Sequence, residues 1–275
     1  GMTKSEWKQP RAKDPHQKFP RRQRDWAVEG KPFPITEEDA AFVRTLLVHE
    51  DQHILAFNKP SGISAQAGKE GIKTLDRLLT AFAKSNGKRP QLVHRLDRET
   101  SGIIVAARNY PAAGFLGKAF AERRTAKTYL ALACGENLSD EGVFDTALKR
   151  YRDPRGFDAM RAAAPDDPEG DPALTKYQTL AAGKGWRLLR MEPVTGRMHQ
   201  LRAHLALAGA PIAADFKYSG LTSIGAVPIP RLMLHALSIT IPHPDGGEIK
   251  LNAPPPEAFE TVMQGLGKPE ALEGL

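Results

Sequence analysis

Apolar residues recur along this chain in two rhythms, contiguous runs of four to eight and a three-to-four spacing, separated by Gly, Pro and charged connections. The runs HILAFNKPSG (53–62), QLV (91–93), IIVAA (103–107), TAKTYLALACG (125–135), WRLLRMEPV (186–194) and RLMLHALSITIP (231–242) read as strands. The helical spacing is clearest in TLDRLLTAFAKS (74–85), where Leu75, Leu78, Leu79 and Phe82 share one face. TEEDAAFVRTLL (36–47) opens with Thr36 as an N-cap and acids in its first turn. AAGFLGKAFAERR (112–124) predicts a helix despite its glycines, and RMHQLRAHLALAG (197–209) one closed by Gly209. A short helix near 256–265 precedes a polar tail at 266–275, and residues 150–174, with four prolines and mixed charge, predict a long loop or hairpin tip. No repeat is visible and no regular strand–helix–strand alternation, so the pattern predicts an α+β fold with a largely antiparallel sheet.

Composition narrows the class. With 275 residues, 41% hydrophobic and 26% charged, the chain can bury one large core, alone or with a small appendage. No run has the length and apolarity of a membrane span and none reads as a signal peptide, so the expected compartment is the cytoplasm. The one cysteine, Cys134, allows no internal disulfide and no cysteine-rich zinc site, and its apolar setting predicts a buried, inert thiol. Net charge is +7, unevenly spread: residues 1–34 carry +5 and residues 253–275 carry −3. That balance fits a polyanionic partner, most simply nucleic acid, and equally a solubilising surface. The Pro-rich, basic segment 1–34 predicts a flexible N-terminal arm.

The densest chemistry lies in VHRLDRETSG (93–102), a connection between two apolar runs. An aspartic-protease motif would need Asp directly before Thr-Gly or Ser-Gly, whereas two charged residues intervene after Asp97. A serine-hydrolase elbow is absent. GISAQAGKE (62–70) has five residues between Gly62 and Gly68 where a phosphate loop needs four, and Glu70 stands where Ser or Thr would hold magnesium. His199 and His204 lie five apart, about 140° around a helix, so one helical face cannot offer both to a metal. They read as one packed and one exposed histidine. Asp97, with Arg95, Arg98 and His94 beside it, should have its ionised form favoured. Such a carboxylate can be a nucleophile, a base or half of a structural ion pair, and the local pattern alone does not choose.

HRLDRETSG resembles the active-site signature of the RluA-type pseudouridine synthases, with Asp97 at the catalytic aspartate. NKPSG (58–62), KTYLALACG (127–135), TGRMHQLRAHLALAGAPIAAD (195–215) and LMLHALSITIPHP (232–244) resemble the family's other segments in order, over about residues 46–255. The resemblance implies the pseudouridine synthase fold, a central mixed, mostly antiparallel sheet flanked by helices and loops. It implies an isomerase that breaks the N1–C1′ bond of a uridine in structured RNA, tRNA or ribosomal RNA, and joins C5 to C1′, with neither cofactor nor metal. Asp97 would act on the nucleotide as nucleophile or base, with Tyr129 as stacking face and proton carrier. Arg202, or else Arg197, would pair with Asp97, and Arg95 would fill the space a flipped base vacates. His94 would shape the loop, and Arg98, Arg197 and His199 complete the substrate-binding set. The expected organisation is a single catalytic domain, 35–265, monomeric and without an N-terminal S4-type domain. Ala214 stands where the family more often has Gly, and Ser219 is additional, which bears on local loop geometry. The alternatives are a non-enzymatic RNA-binding module on this fold, or a carboxylate-dependent nucleoside hydrolase, for which Glu99 is the only local second acid.

Overall fold

A computed structural model of the protein describes residues 35–66 and 73–275; the basic arm 1–34 lies outside them, as does part of the 62–70 loop. The described chain forms two compact units, one made of the residues up to Ala126 together with Ala236–Ala253, the other of Lys127–His235 and Pro254–Leu275.

The first unit, which holds Asp97, opens with α1 (Glu37–Thr45). Thr36 caps it as expected, its hydroxyl accepting the Asp39 N–H at 3.0 Å, with Glu37, Glu38 and Asp39 at the positive end of the helix dipole. Strand β1 (Leu47–Glu50) runs antiparallel to β2 (Ile54–Lys59), with Glu50 opposite Leu55. Beyond them, α2 (Leu75–Leu78) is capped by the Thr74 hydroxyl and continues as a 3-10 turn, Leu79–Phe82. The helix expected to reach residue 85 stops early because the Lys84 N–H turns to the Lys88 carbonyl in the connection to β3 (Gln91–Leu92). Strand β4 (Ser101–Ala107) is buried along its whole length and pairs antiparallel with β2, Ile54 opposite Ala107 and Lys59 opposite Gly102. Its unbroken apolar run reflects burial on both faces. Helix α3 (Tyr110–Ala121) follows, its first turn fixed by the Asn109 cap and Pro111.

The second unit, which holds Tyr129 and Arg202, is built on four strands in the order β5 (Ala126–Cys134), β10 (Trp186–Pro193), β9 (Thr175–Gly183), β6 (Glu141–Phe144), all antiparallel neighbours. Leu130, Leu132, Leu188, Met191, Ile212 and Phe259 are central to its core. Cys134 closes β5 opposite Trp186, and burial pushes its thiol pKa up. Within 150–174 the chain forms a hairpin, β7 (Leu148–Arg152) with β8 (Asp158–Ala162), tighter than a plain loop. Helix α4 (Gln200–Leu207) is shorter than the expected 197–209. A two-residue pair, β11 (Ser223–Ile224) with β12 (Val227–Pro228), precedes β13 (Leu234–Pro242). Strand β13 carries the chain back to the first unit, where β14 (Glu248–Asn252) pairs with it antiparallel. Helix α5 (Glu257–Gly265) then returns to the second core, and Leu266, Leu272 and Leu275 from the expected polar tail pack against it.

The pairing is mostly antiparallel with flanking helices, the α+β class that the pattern predicts; outside the named strands Ser64 and Thr74 form an isolated parallel bridge. Gly102, the last residue of the reactive-looking stretch, has φ +119°, and a Cβ there would meet the Ala236 backbone carbonyl. Gly102→Ala should therefore lower stability by about 3 kcal/mol, through strained backbone and overpacking together. Urea unfolding of the variant beside the parent checks this.

Candidate active site

The Asp97 connection is held by backbone carbonyls and one buried cation. Lys59, at the end of β2, is fully buried. Its ammonium donates to the carbonyls of Pro60 at 2.9 Å, Ile63 at 2.7 Å and Arg98 at 3.0 Å. The Gly62 N–H also donates to the Arg98 carbonyl, and the Ser61 hydroxyl to that of Glu99. The Pro-Ser-Gly turn thus grips the far end of the HRLDRET segment. At its near end, His94 Nε2 accepts the Val105 N–H at 2.9 Å, and the ring stacks on Phe120 of α3 at 4.8 Å. Between these anchors Asp97 is half-buried, its carbonyl accepting the Thr100 N–H, while Arg95 and Arg98 are exposed. Arg95 Nη1 reaches Gln66 Oε1 at 3.4 Å, and Arg98 Nε donates to the Gly62 carbonyl at 3.1 Å.

In the second unit, Tyr129 lies half-buried in β5 opposite Met191. Arg202 projects from α4 and makes a bidentate pair with Asp215, Nε to Oδ2 and Nη2 to Oδ1, both 2.9 Å. Its Cζ lies 5.2 Å from the centre of the Tyr218 ring. His199, half-buried where one exposed histidine was expected, shares a 2.8 Å hydrogen bond through Nδ1 with the Tyr218 hydroxyl. The Arg197 guanidinium donates through Nε to the Pro172 carbonyl at 2.8 Å.

A buried polar chain explains why α4 begins at Gln200. The Gln200 Oε1 accepts both the Thr195 hydroxyl and the Arg197 N–H, so the chain before it turns inward instead of continuing the helix. The Gln200 amide donates to Thr175 Oγ1, whose hydroxyl in turn reaches His204 Nδ1 at 2.8 Å. His204 Nε2 then donates to the Thr146 carbonyl at 2.9 Å. His204 is the packed histidine; burial holds its pKa below the usual 6.5. His199 adopts a left-handed backbone, φ 50°, as do Ala214 at 61° and Ser219 at 66°, the two positions that depart from the family pattern.

The sequence-predicted residues therefore fall into two groups: His94, Arg95, Asp97 and Arg98 on one braced connection, and Tyr129, Arg197, His199 and Arg202 in the other unit. Asp215, Tyr218 and the bracing role of Lys59 escaped the sequence reading. An acid inside the apolar stretch PIAADF was the available signal for Asp215. Among the described residues no group of three or more His, Cys, Asp or Glu is placed to hold a metal ion, and no helix is long and apolar enough to cross a membrane.

Comparison with known proteins points one way. The family model described as RNA pseudouridylate synthase matches residues 53–207. A ribosomal large subunit pseudouridine synthase C from Rickettsia bellii is 36% identical over 221 residues, covering 78% of this chain and 70% of the relative. An uncharacterised RNA pseudouridine synthase from Zymomonas mobilis is 34% identical over 76% of this chain and 93% of its own. Among solved structures, human RNA pseudouridylate synthase domain containing 4 superposes with a TM-score of 0.70 at 25% identity, covering 84% of this chain and 97% of the human one.

Two outcomes follow from the bracing groups. Lys59→Met keeps the length of the side chain but takes the ammonium donor from three carbonyls, of which that of Arg98 keeps the Gly62 N–H, and should cost about 1–3 kcal/mol in urea unfolding. For His204, the unfolded chain binds a proton below pH 6.5 while the folded protein does not until its lowered pKa is reached. Stability should therefore fall as pH is lowered through 6.5, and His204→Gln should remove that part of the slope in unfolding curves taken between about pH 7.5 and 5.5.

Proposed function

The chain belongs to the RNA pseudouridylate synthase family, and from that premise we propose that Asp97 acts on a flipped-out uridine of large-subunit ribosomal RNA. The general activity, isomerisation of uridine in RNA to pseudouridine, comes with the family. The reaction breaks N1–C1′ and forms C5–C1′; a proton leaves C5 and one arrives at N1. A carboxylate can serve this as nucleophile on base or sugar, or as base at the sugar, and in each case it must be ionised and within reach of the nucleoside.

The observation that carries the reading is the bracing of the Asp97 connection. A half-buried carboxylate stands between two exposed arginines on a backbone fixed by a buried ammonium. A reacting group gains most from a frame that does not relax when substrate arrives. Extruding a nucleotide costs roughly a few kcal/mol in lost stacking, and Arg95, planar and exposed, can replace the missing base. Tyr129 supplies a ring for the uracil, Arg202 a cationic donor to the reaction, and Arg98, Arg197 and His199 contacts to the RNA. The +7 net charge suits a phosphate backbone. Ribosomal RNA of the large subunit is favoured over tRNA because relatives from several bacteria carry that name.

Asp97→Asn keeps the shape and removes the charge. Pseudouridine formation on transcribed large-subunit ribosomal RNA should fall by about 10⁴-fold or more, the scale seen when a reacting group is lost. RNA binding, measured in parallel at fixed salt, should stay within about threefold because phosphate contacts dominate it. Full activity in this variant ends the reading.

A further inference from the structure

Arg202 is held by more groups than a surface helix cation requires. The Asp215 side chain is fully buried, and both its oxygens are taken by Arg202. Burying a carboxylate costs several kcal/mol unless it is well paired. Among the described residues Arg202 is the only side-chain partner of this one. The Tyr218 ring lies against the same guanidinium, and its hydroxyl accepts the Met160 N–H at 2.9 Å while also bonding His199 Nδ1. Burial pushes the Tyr218 pKa up, so the phenol keeps its proton. His199 is the left-handed residue directly before α4, so the hydroxyl pins the start of the helix that bears Arg202.

The turn that carries Asp215 and Tyr218 is itself braced. Ala214 and Ser219 flank it with positive φ, where L side chains are strained by about 1 kcal/mol each. Lys217 straps it to the β7–β8 hairpin, donating to the Asp158 carbonyl at 3.0 Å and to Asp153 Oδ2 at 3.2 Å. Strain retained at both ends of the turn implies a conformation worth keeping.

The geometry points to Asp215 and Tyr218 as positioning residues for Arg202. They fix the plane of the guanidinium through its Nε–Nη2 edge, so that Nη1 faces one direction only, as the donor the reaction uses. This rests on Arg202 serving the reaction as proposed above. Neither residue touches substrate; both act through Arg202.

The test measures kcat and KM by tritium released from uracil C5 in transcribed large-subunit ribosomal RNA. Tyr218→Phe keeps the ring and removes the hydroxyl, and Asp215→Asn removes the bidentate acceptor. Each should lower kcat by about tenfold, as small misplacements of a reacting group do, with KM within about twofold. In an Arg202→Lys background, where no planar fork remains to be oriented, Tyr218→Phe should add almost nothing to the loss. Losses that add fully in the double variant would mean a general structural role and overturn the inference. Wild-type kcat in Tyr218→Phe, with Arg202→Lys impaired, would overturn it while leaving the proposed function standing. Wild-type kcat in Arg202→Lys would remove the role of Arg202 itself, and this inference with it. Should Asp215→Asn fail to fold, Tyr218→Phe and the double variant decide the matter.

Discussion

One ammonium group with no exposure to water organises the Asp97 unit. Lys59 sits where β2 ends, and its protons go to carbonyls of two loops, the 60–63 turn and the end of the Asp97 connection. A buried cation is tolerable only when its donors are matched, so the two loops cannot separate without stranding a charge in a medium of low polarity. The connection needs no regular secondary structure of its own. It borrows rigidity from a strand end.

The second unit uses the same device with the signs shared between side chains. Arg202 and Asp215 form a buried pair whose geometry is planar and bidentate. A fork of this kind fixes orientation as well as distance, which lysine could not do there. Around it the Thr195–Gln200–Thr175–His204 chain satisfies each buried polar atom in turn and sets where α4 starts. Lys59 in one unit and the Arg202–Asp215 pair in the other are thus held by matched hydrogen bonds, with the apolar cores supplying the platform. An arrangement fixed before substrate arrives spends no binding energy on ordering itself.

Strands buried over much of their length were plain in the sequence: β2, β4 and β13 are rich in apolar residues, and β5 and β10 contain shorter apolar runs. Strands β6, β9 and β14 were not, because their exposed faces carry Glu, Lys and Gln and dilute the apolar signal. Helix ends failed where tertiary bonds override local preference, at Lys84 and at Gln200. The Asp97 stretch was legible because five ionisable groups crowd one short connection, and Tyr129 and Arg202 through the family resemblance. Asp215 and Tyr218 were hidden because their relation to Arg202 is made in space, 13 and 16 residues away along the chain. Even so, Ala214 and Ser219, odd on sequence grounds, mark the turn that matters.

The lone cysteine gives this molecule a built-in reporter. Cys134 lies five residues beyond Tyr129 on the same strand, shielded opposite Trp186, with its thiol held protonated by burial. A sulfhydryl reagent reaches it when the end of that strand opens, and then reacts with a single atom in the whole chain. Labelling rates therefore time the breathing at the far end of the strand that carries Tyr129, with no probe engineered in.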